Sequence, residues 1–261
     1  MKHRPSYPSD LTDDQWWFID PLIAEQKTGR PRKYSHREMF NAIAYISRTG
    51  CSWRMLPHDL PPWQAVYAYF RKLTTIGFWE QLTDELREQL RVELGREPYP
   101  SVVIIDSQSV KTTEKRGPRG FDGGKRVKGR KRQLAVDTQG FPLRLLVHPA
   151  NEQDKAIIKY LLEKLPVTAR WQKVLVDQGY DSPAAKHHCR RLFDVDYEVV
   201  KRTSKGFEVI PKRWVVERTF AWFGKYRRLS KDYEQRIDVS EAFLYFCSAN
   251  IMVKRLAKIS F

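Results

Sequence analysis

Apolar side chains recur every three or four positions through the first part of the chain, then give way to short unbroken apolar runs after Pro98 and Pro100. The first pattern is that of amphipathic helices, the second that of strands buried on both faces. Residues 12–26 carry Trp16, Trp17, Ile19, Leu22 and Ile23 at helical spacing. Ser35 with Glu38 is a capping-box signature. It opens a second helix with an apolar stripe of Met39, Ile43, Ala44 and Ile46, ending at Gly50. Pro61 and Pro62 precede a third, with Val66, Tyr69, Phe70 and Leu73 at helical spacing. Residues 78–94 form a fourth, alternating Glu and Arg on its outer face.

Beyond the prolines, residues 101–106 read as a strand ending in Asp106. Residues 133–137 and 143–147 are two more strands, joined by a hairpin-like Thr138-Gln139-Gly140 turn. An amphipathic helix over 154–165 stops at Pro166, and residues 173–177 are again an apolar strand finishing in an acid, Asp177. Helix over 183–193, strand over 197–200, and helices over 213–228 and 239–258 complete the series. The expected organisation is an all-helical module over residues 1–95 and an α/β domain over residues 98–261.

Composition narrows the function. With 41% hydrophobic and 30% charged residues among 261, the chain reads as a globular protein. No apolar run reaches the ~18 residues of a membrane span, and the N-terminus lacks the apolar region of a secretory signal, so a cytoplasmic location is expected. Cys51, Cys189 and Cys247 are too scattered for a disulfide framework or a zinc site, and His187-His188-Cys189 reads as a basic turn of helix. A formal net charge of +16 calls for a polyanion, with nucleic acid ahead of an anionic membrane.

Two strand-end carboxylates on neighbouring strands would converge on one spot and repel unless a divalent cation neutralises them. Asp106 and Asp177 are such a pair, and their oxygens suit Mg²⁺. Basic segments lie to either side. Arg30 and Arg32, in a Gly-Arg-Pro-Arg stretch, read equally as a minor-groove arm and as a linker. Arg71 and Lys72 sit on a helix that could enter a major groove. From Lys111 to Arg132 ten Lys or Arg face two acids with glycines interspersed, which predicts a mobile DNA-ordered loop carrying Lys111, Lys125, Arg126, Lys128, Arg130 and Lys131. Ser107 and Gln108 lie beside the first Asp. Glu217, bordering an apolar helix face with Arg213 one turn earlier, reads by itself as a helix ion pair.

Three segments taken in order change that reading: Val103-Ile104-Ile105-Asp106-Ser107, Val176-Asp177-Gln178-Gly179-Tyr180, and Arg213-Trp214-Val215-Val216-Glu217-Arg218 with the later Arg227-Arg228-Leu229. Together with the helical first part and the basic run from Gly124 to Arg132, they resemble the DDE-type transposases of bacterial insertion sequences, the insertion sequence 5 family in particular. The resemblance implies an RNase H-like fold with two metal ions held by Asp106, Asp177 and Glu217. It implies Mg²⁺, with Mn²⁺ substituting, and in-line cleavage and joining of DNA strands without a covalent protein intermediate. It also implies double-stranded partners (terminal repeats and target), a homodimer on DNA at the bacterial nucleoid, and phosphate contacts from Arg213, Arg218 and Lys225. The family's spaced Tyr-Arg-Glu-Lys signature is incomplete here: Ile210 stands at the Tyr position and Lys225 comes one residue late. A nuclease that cuts without joining and a catalytically dead DNA-binding regulator are the two alternatives.

Overall fold

The computed structural model describes residues 4–23, 32–114, 116–200 and 214–260, and within them short polar side chains open some of the helices. Thr12 starts α1 (Asp13–Ile19) with a full capping box, its hydroxyl accepting from the Gln15 amide and the Gln15 carboxamide accepting from the Thr12 amide, both at 3.3 Å. Ser35 starts α2 (His36–Thr49), its hydroxyl accepting from the Glu38 amide at 3.2 Å. The Glu38 carboxylate, which would complete that box, turns instead to Arg4 at 3.3 Å. Gly50 at φ 74° closes α2 in the left-handed conformation that a side chain resists. Pro62 precedes α3 (Trp63–Thr75), and α4 (Phe78–Glu93) follows directly.

The second half is a sheet flanked by helices: β1 (Val102–Lys111), β2 (Gly120–Asp122), β3 (Val127–Val136), β4 (Pro142–Pro149), α5 (Asp154–Lys164), β5 (Lys173–Val176), α6 (Pro183–Phe193), β6 (Asp196–Val199), α7 (Trp214–Phe223) and α8 (Ile237–Ser260). Across the sheet the order is β3, β1, β5, β6, with β4 and the short β2 both pairing to β3. β1 to β4 pair antiparallel; β1, β5 and β6 pair parallel. Side chains alternate between two cores, as a period of two requires. Ile104, Leu134, Leu145 and Leu175 join the helical module, α7 and α8. Val103, Ile105, Ala135, Val174 and Val176 pack with Ile158, Leu161 and Cys189 of α5 and α6.

Two local expectations give way. β1 continues five residues past Asp106 to Lys111, so that carboxylate sits within a strand, and the expected 111–132 loop is broken by strand β2 and by the first part of strand β3. The basic run can pair because successive cations are neutralised inside the protein: Arg130 lies 3.2 Å from Asp232, and Lys131 lies 3.4 Å from Asp154. Gly129 belongs to the same device, since a Cβ there would stand 1.9 Å from the Val110 carbonyl.

α8 is enclosed on almost every side, with Phe243 4.7 Å from Phe70 and Phe246 5.4 Å from Trp79, ring centre to ring centre. Its Tyr245 hydroxyl donates to Glu80 at 3.0 Å and accepts from the Leu145 amide at 3.0 Å, tying α4, α8 and β4 at one atom. No helix among the described residues is long and apolar enough to cross a membrane.

Ionic contacts cross the seam, among them Arg144 of β4 with Glu80 and Asp84 of α4 at 3.1 and 2.8 Å, and two others bear on stability. Buried Asp137, in the β3–β4 turn, accepts from the amides of Gln139 at 2.8 Å and Phe141 at 2.9 Å and pairs with Arg91 of α4. Asp137→Ala leaves that guanidinium uncompensated, and a loss of about 3–5 kcal/mol is expected in chemical denaturation, within one unfolding transition for both halves. Asp238, at the start of α8, is held at about 2 by hydrogen bonds from Arg236 and then Arg71, against an ordinary 3.8. A lowered folded pKa stabilises above the unfolded value and stops doing so as pH falls through the folded one. Asp238→Asn should therefore cost under about 1 kcal/mol at neutral pH, the pair being part-exposed, and the thermal midpoints of variant and parent should merge as pH drops from about 4 to about 2.

Candidate active site

The parallel rungs Val102–Lys173, Val103–Val174 and Ile104–Leu175 fix a one-to-one register between β1 and β5. Continued two rungs further, it sets Asp177 level with Asp106. β5 stops at Val176, so the site lies where β1 outruns its neighbour. Asp106 is 9% exposed, and its Oδ1 accepts from the Ser107 amide at 2.7 Å. Asp177 is half-buried and caps a 3-10 turn over Gln178–Tyr180, its Oδ1 accepting from the Gly179 amide at 2.9 Å.

Beneath that turn Tyr180 is fully buried, and its hydroxyl donates to the Gln133 carboxamide oxygen. Gln133 Nε2 donates in turn to Asp154 Oδ1 at 2.6 Å. Burial pushes the Tyr180 hydroxyl well above its usual range, and the charges of Asp154, Asp106 and Asp177 push it the same way. A Cβ on Gly179 would stand 3.1 Å from Asp177 Oδ1 and 3.8 Å from Asp154 Oδ2, so both carboxylates flank the same backbone position. Asp154 was not singled out in the sequence. It opens α5, where an acid is ordinary, and no local signal distinguishes it.

Glu217 stands exposed on α7, whose buried side, Val215, Val216, Thr219 and Phe220, packs into the same core as Ile104. Ile104 and Asp106 share a face of β1, so α7 covers the face from which Asp106 projects. Among the described residues no three His, Cys, Asp or Glu side chains are gathered closely enough to hold a metal ion. The structure thus brings Asp106 and Asp177 together and leaves Glu217 at the helix surface. The position of α7 is set by Arg218, stacked 4.3 Å from Trp214 and 5.0 Å from Trp222 while donating to the Gln139 carbonyl at 2.9 Å.

The basic candidates divide by exposure. Arg130 is 1% exposed and donates to the carbonyls of Pro118 and Gln235, both at 2.8 Å. Buried Lys131 donates to the Glu152 carbonyl at 3.1 Å, and Arg71 pairs with Asp238 at 2.8 Å. Lys72, Lys111, Lys125, Arg126, Lys128 and Lys225 are exposed, as is Arg32, which lies 6.0 Å over the Tyr69 ring. Lys125 reaches back to the Ser107 carbonyl at 3.0 Å, next to Asp106. Arg30 and Arg213 lie outside the described residues.

Comparison with known proteins fits this arrangement. The family model described as "Transposase DDE domain" matches residues 97–251, and that of "Putative transposase of IS4/5 family" matches residues 11–83. The chain is 35% identical over 152 residues to the "Putative transposase for insertion sequence element IS402" of Burkholderia cepacia, covering 54% of this chain and 69% of that one. It is 25% identical over 112 residues to an "Insertion element IS402 uncharacterized 16.2 kDa protein" of the same organism, covering 39% and 72%. Among solved structures, the Mos1 mariner paired end complex with Mn is similar at a TM-score of 0.28 and 13% identity, covering 94% of this chain and 84% of that one, a level of likeness on which nothing further rests. The chain belongs to the DDE transposases of the IS4/5 insertion-sequence group, polynucleotidyl transferases that act on DNA with a divalent metal.

Proposed function

We propose that this chain cuts DNA at the ends of an insertion sequence and joins the freed ends to a target, with Asp106, Asp177 and Glu217 as the catalytic carboxylates. The observation that carries the reading is the β1–β5 register, which, continued past the end of β5, would bring Asp177 level with Asp106. Carboxylate oxygens are the donors that Mg²⁺ prefers, with Mn²⁺ able to substitute, and two such groups held side by side favour a cation over leaving both charged and bare. Bound there, the metal ions would lower the pKa of the attacking water or 3′-hydroxyl and neutralise the leaving oxygen. Glu217 would complete the set from α7, whose register against the sheet is fixed by the Trp214–Arg218–Trp222 stack. The turn capped by Asp177 is held from below by Tyr180 and Gln133, which keeps the second carboxylate in place without touching the DNA.

Phosphate contacts are assigned to the exposed cations Arg32, Lys72, Lys111, Lys125, Arg126, Lys128 and Lys225, with Arg30 and Arg213 added from the sequence. Arg71, Arg130, Lys131 and Arg218 instead hold the protein's shape. Two element ends need two active sites, so the working species would be a homodimer on double-stranded DNA, at the nucleoid of a bacterial cytoplasm.

Asp106→Asn and Asp177→Asn are each expected to lower strand cleavage, and strand transfer of pre-cleaved ends, by at least about a thousandfold, while gel-shift affinity for terminal-repeat duplex stays within a few-fold. Unchanged excision in cells carrying either variant would rule out the metal site, and cleavage without joined product would leave a nuclease. Duplex affinity should fall steeply with salt, and Lys128→Ala should reduce the log–log slope by about 1.

A further inference from the structure

A basic cleft opens between the end of β1 and the β2–β3 hairpin. Its volume is about 370 Å³, within the range of small-molecule sites, and Lys111, Arg119, Phe121, Arg126 and Lys128 line it. Thr112 and Thr113 add hydroxyls, and no carboxylate lines it. Among the described residues no ion pair engages Lys111, Arg126 or Lys128.

The aromatic in this cleft is out of place for a folded protein. Phe121 is 58% exposed on a three-residue edge strand. It stands opposite Lys128 in the β2–β3 register, so ring and ammonium project from the same face. An apolar ring at a sheet edge is a liability unless something covers it.

The hairpin holding it is rigidly tied. Asp122 accepts from the Ser109 hydroxyl at 2.6 Å and from the Lys125 amide at 3.0 Å. A Cβ on Gly120 would stand 1.7 Å from Asn151 Oδ1, so β2 is pressed against the loop after β4. Arg126 is held at φ 54°, a left-handed conformation strained for an arginine, while Gly123 and Gly124 beside it keep negative or extended φ. The turn therefore places its strain on the residue whose side chain lines the cleft.

Cations on several walls with one exposed ring form a surface for a polyanion with flat apolar faces. In a duplex the base faces are stacked away and only phosphates meet such a surface; in an unpaired strand both are available. Resting on the DNA reading above, we propose that this cleft binds an unpaired stretch of DNA, one base stacking on Phe121 while its flanking phosphates meet Lys111, Arg126 and Lys128.

The test uses the full chain with a short single-stranded oligonucleotide carrying 2-aminopurine and with a duplex of the same sequence. Phe121→Ala should weaken single-strand binding about tenfold and abolish the change in 2-aminopurine fluorescence, with duplex affinity within about twofold of the parent; Phe121→Trp should retain both signals. Arg126→Gly relieves the backbone, so its melting temperature should not fall while single-strand affinity does. Wild-type single-strand affinity and fluorescence change in Phe121→Ala would overturn the proposal. Equal weakening for duplex and single strand would overturn it too, marking a duplex surface. Failure of the parent to bind DNA of either form would remove the DNA reading along with it.

Discussion

A helix with apolar groups around its whole circumference has to be enclosed, and α8 is enclosed by α4 and the aromatic residues of the helical module on one side and by β4 on the other. The rest of the architecture follows from that requirement. One side of α8 packs on Phe70 and Trp79, and its Tyr245 hydroxyl bridges Glu80 and the β4 backbone, so module and sheet share one core. Arg91 with Asp137, Arg71 with Asp238 and Arg144 with Asp84 are among the ionic contacts at the seam, and desolvation offsets much of the net stability such pairs supply.

A sheet clamped on both faces gives the candidate site its precision. β1 is gripped by two separate cores through alternate side chains, which leaves it little freedom to slide against β5. The level placement of Asp106 and Asp177 is a consequence of that grip. Asp154, Gln133 and Tyr180 extend it into the turn where the second carboxylate sits.

Much of this was legible beforehand. The helical periodicity of the first part, the apolar runs before Asp106 and Asp177, and the Thr138–Gly140 hairpin turn all reflect local chemistry that tertiary structure did not override. Other features depend on partners distant in sequence. The basic run through Arg132 reads as a mobile, DNA-ordered loop because nothing nearby in sequence neutralises it; Asp232, which pairs with Arg130, lies in the connection before α8. The capping box at Ser35 formed only by half because Arg4 competes for Glu38. Asp154 resembles any first-turn acid until the fold sets it beside Gly179. Glu217 needed the family resemblance, and on the structure it remains an exposed helix residue beside a part-exposed arginine stack.

The shared core also bears on how such a chain can be divided. The segment between Glu93 and Val102 crosses from the four-helix part to the sheet, and cutting there would sever no buried strand or helix. It would, however, strip α8 of Phe70, Trp79 and Glu80, exposing the apolar wall of each fragment to water. Two polypeptides made from such a cut would be obliged to dock through α8 before either could hold its native form, as complementary halves of one folding unit.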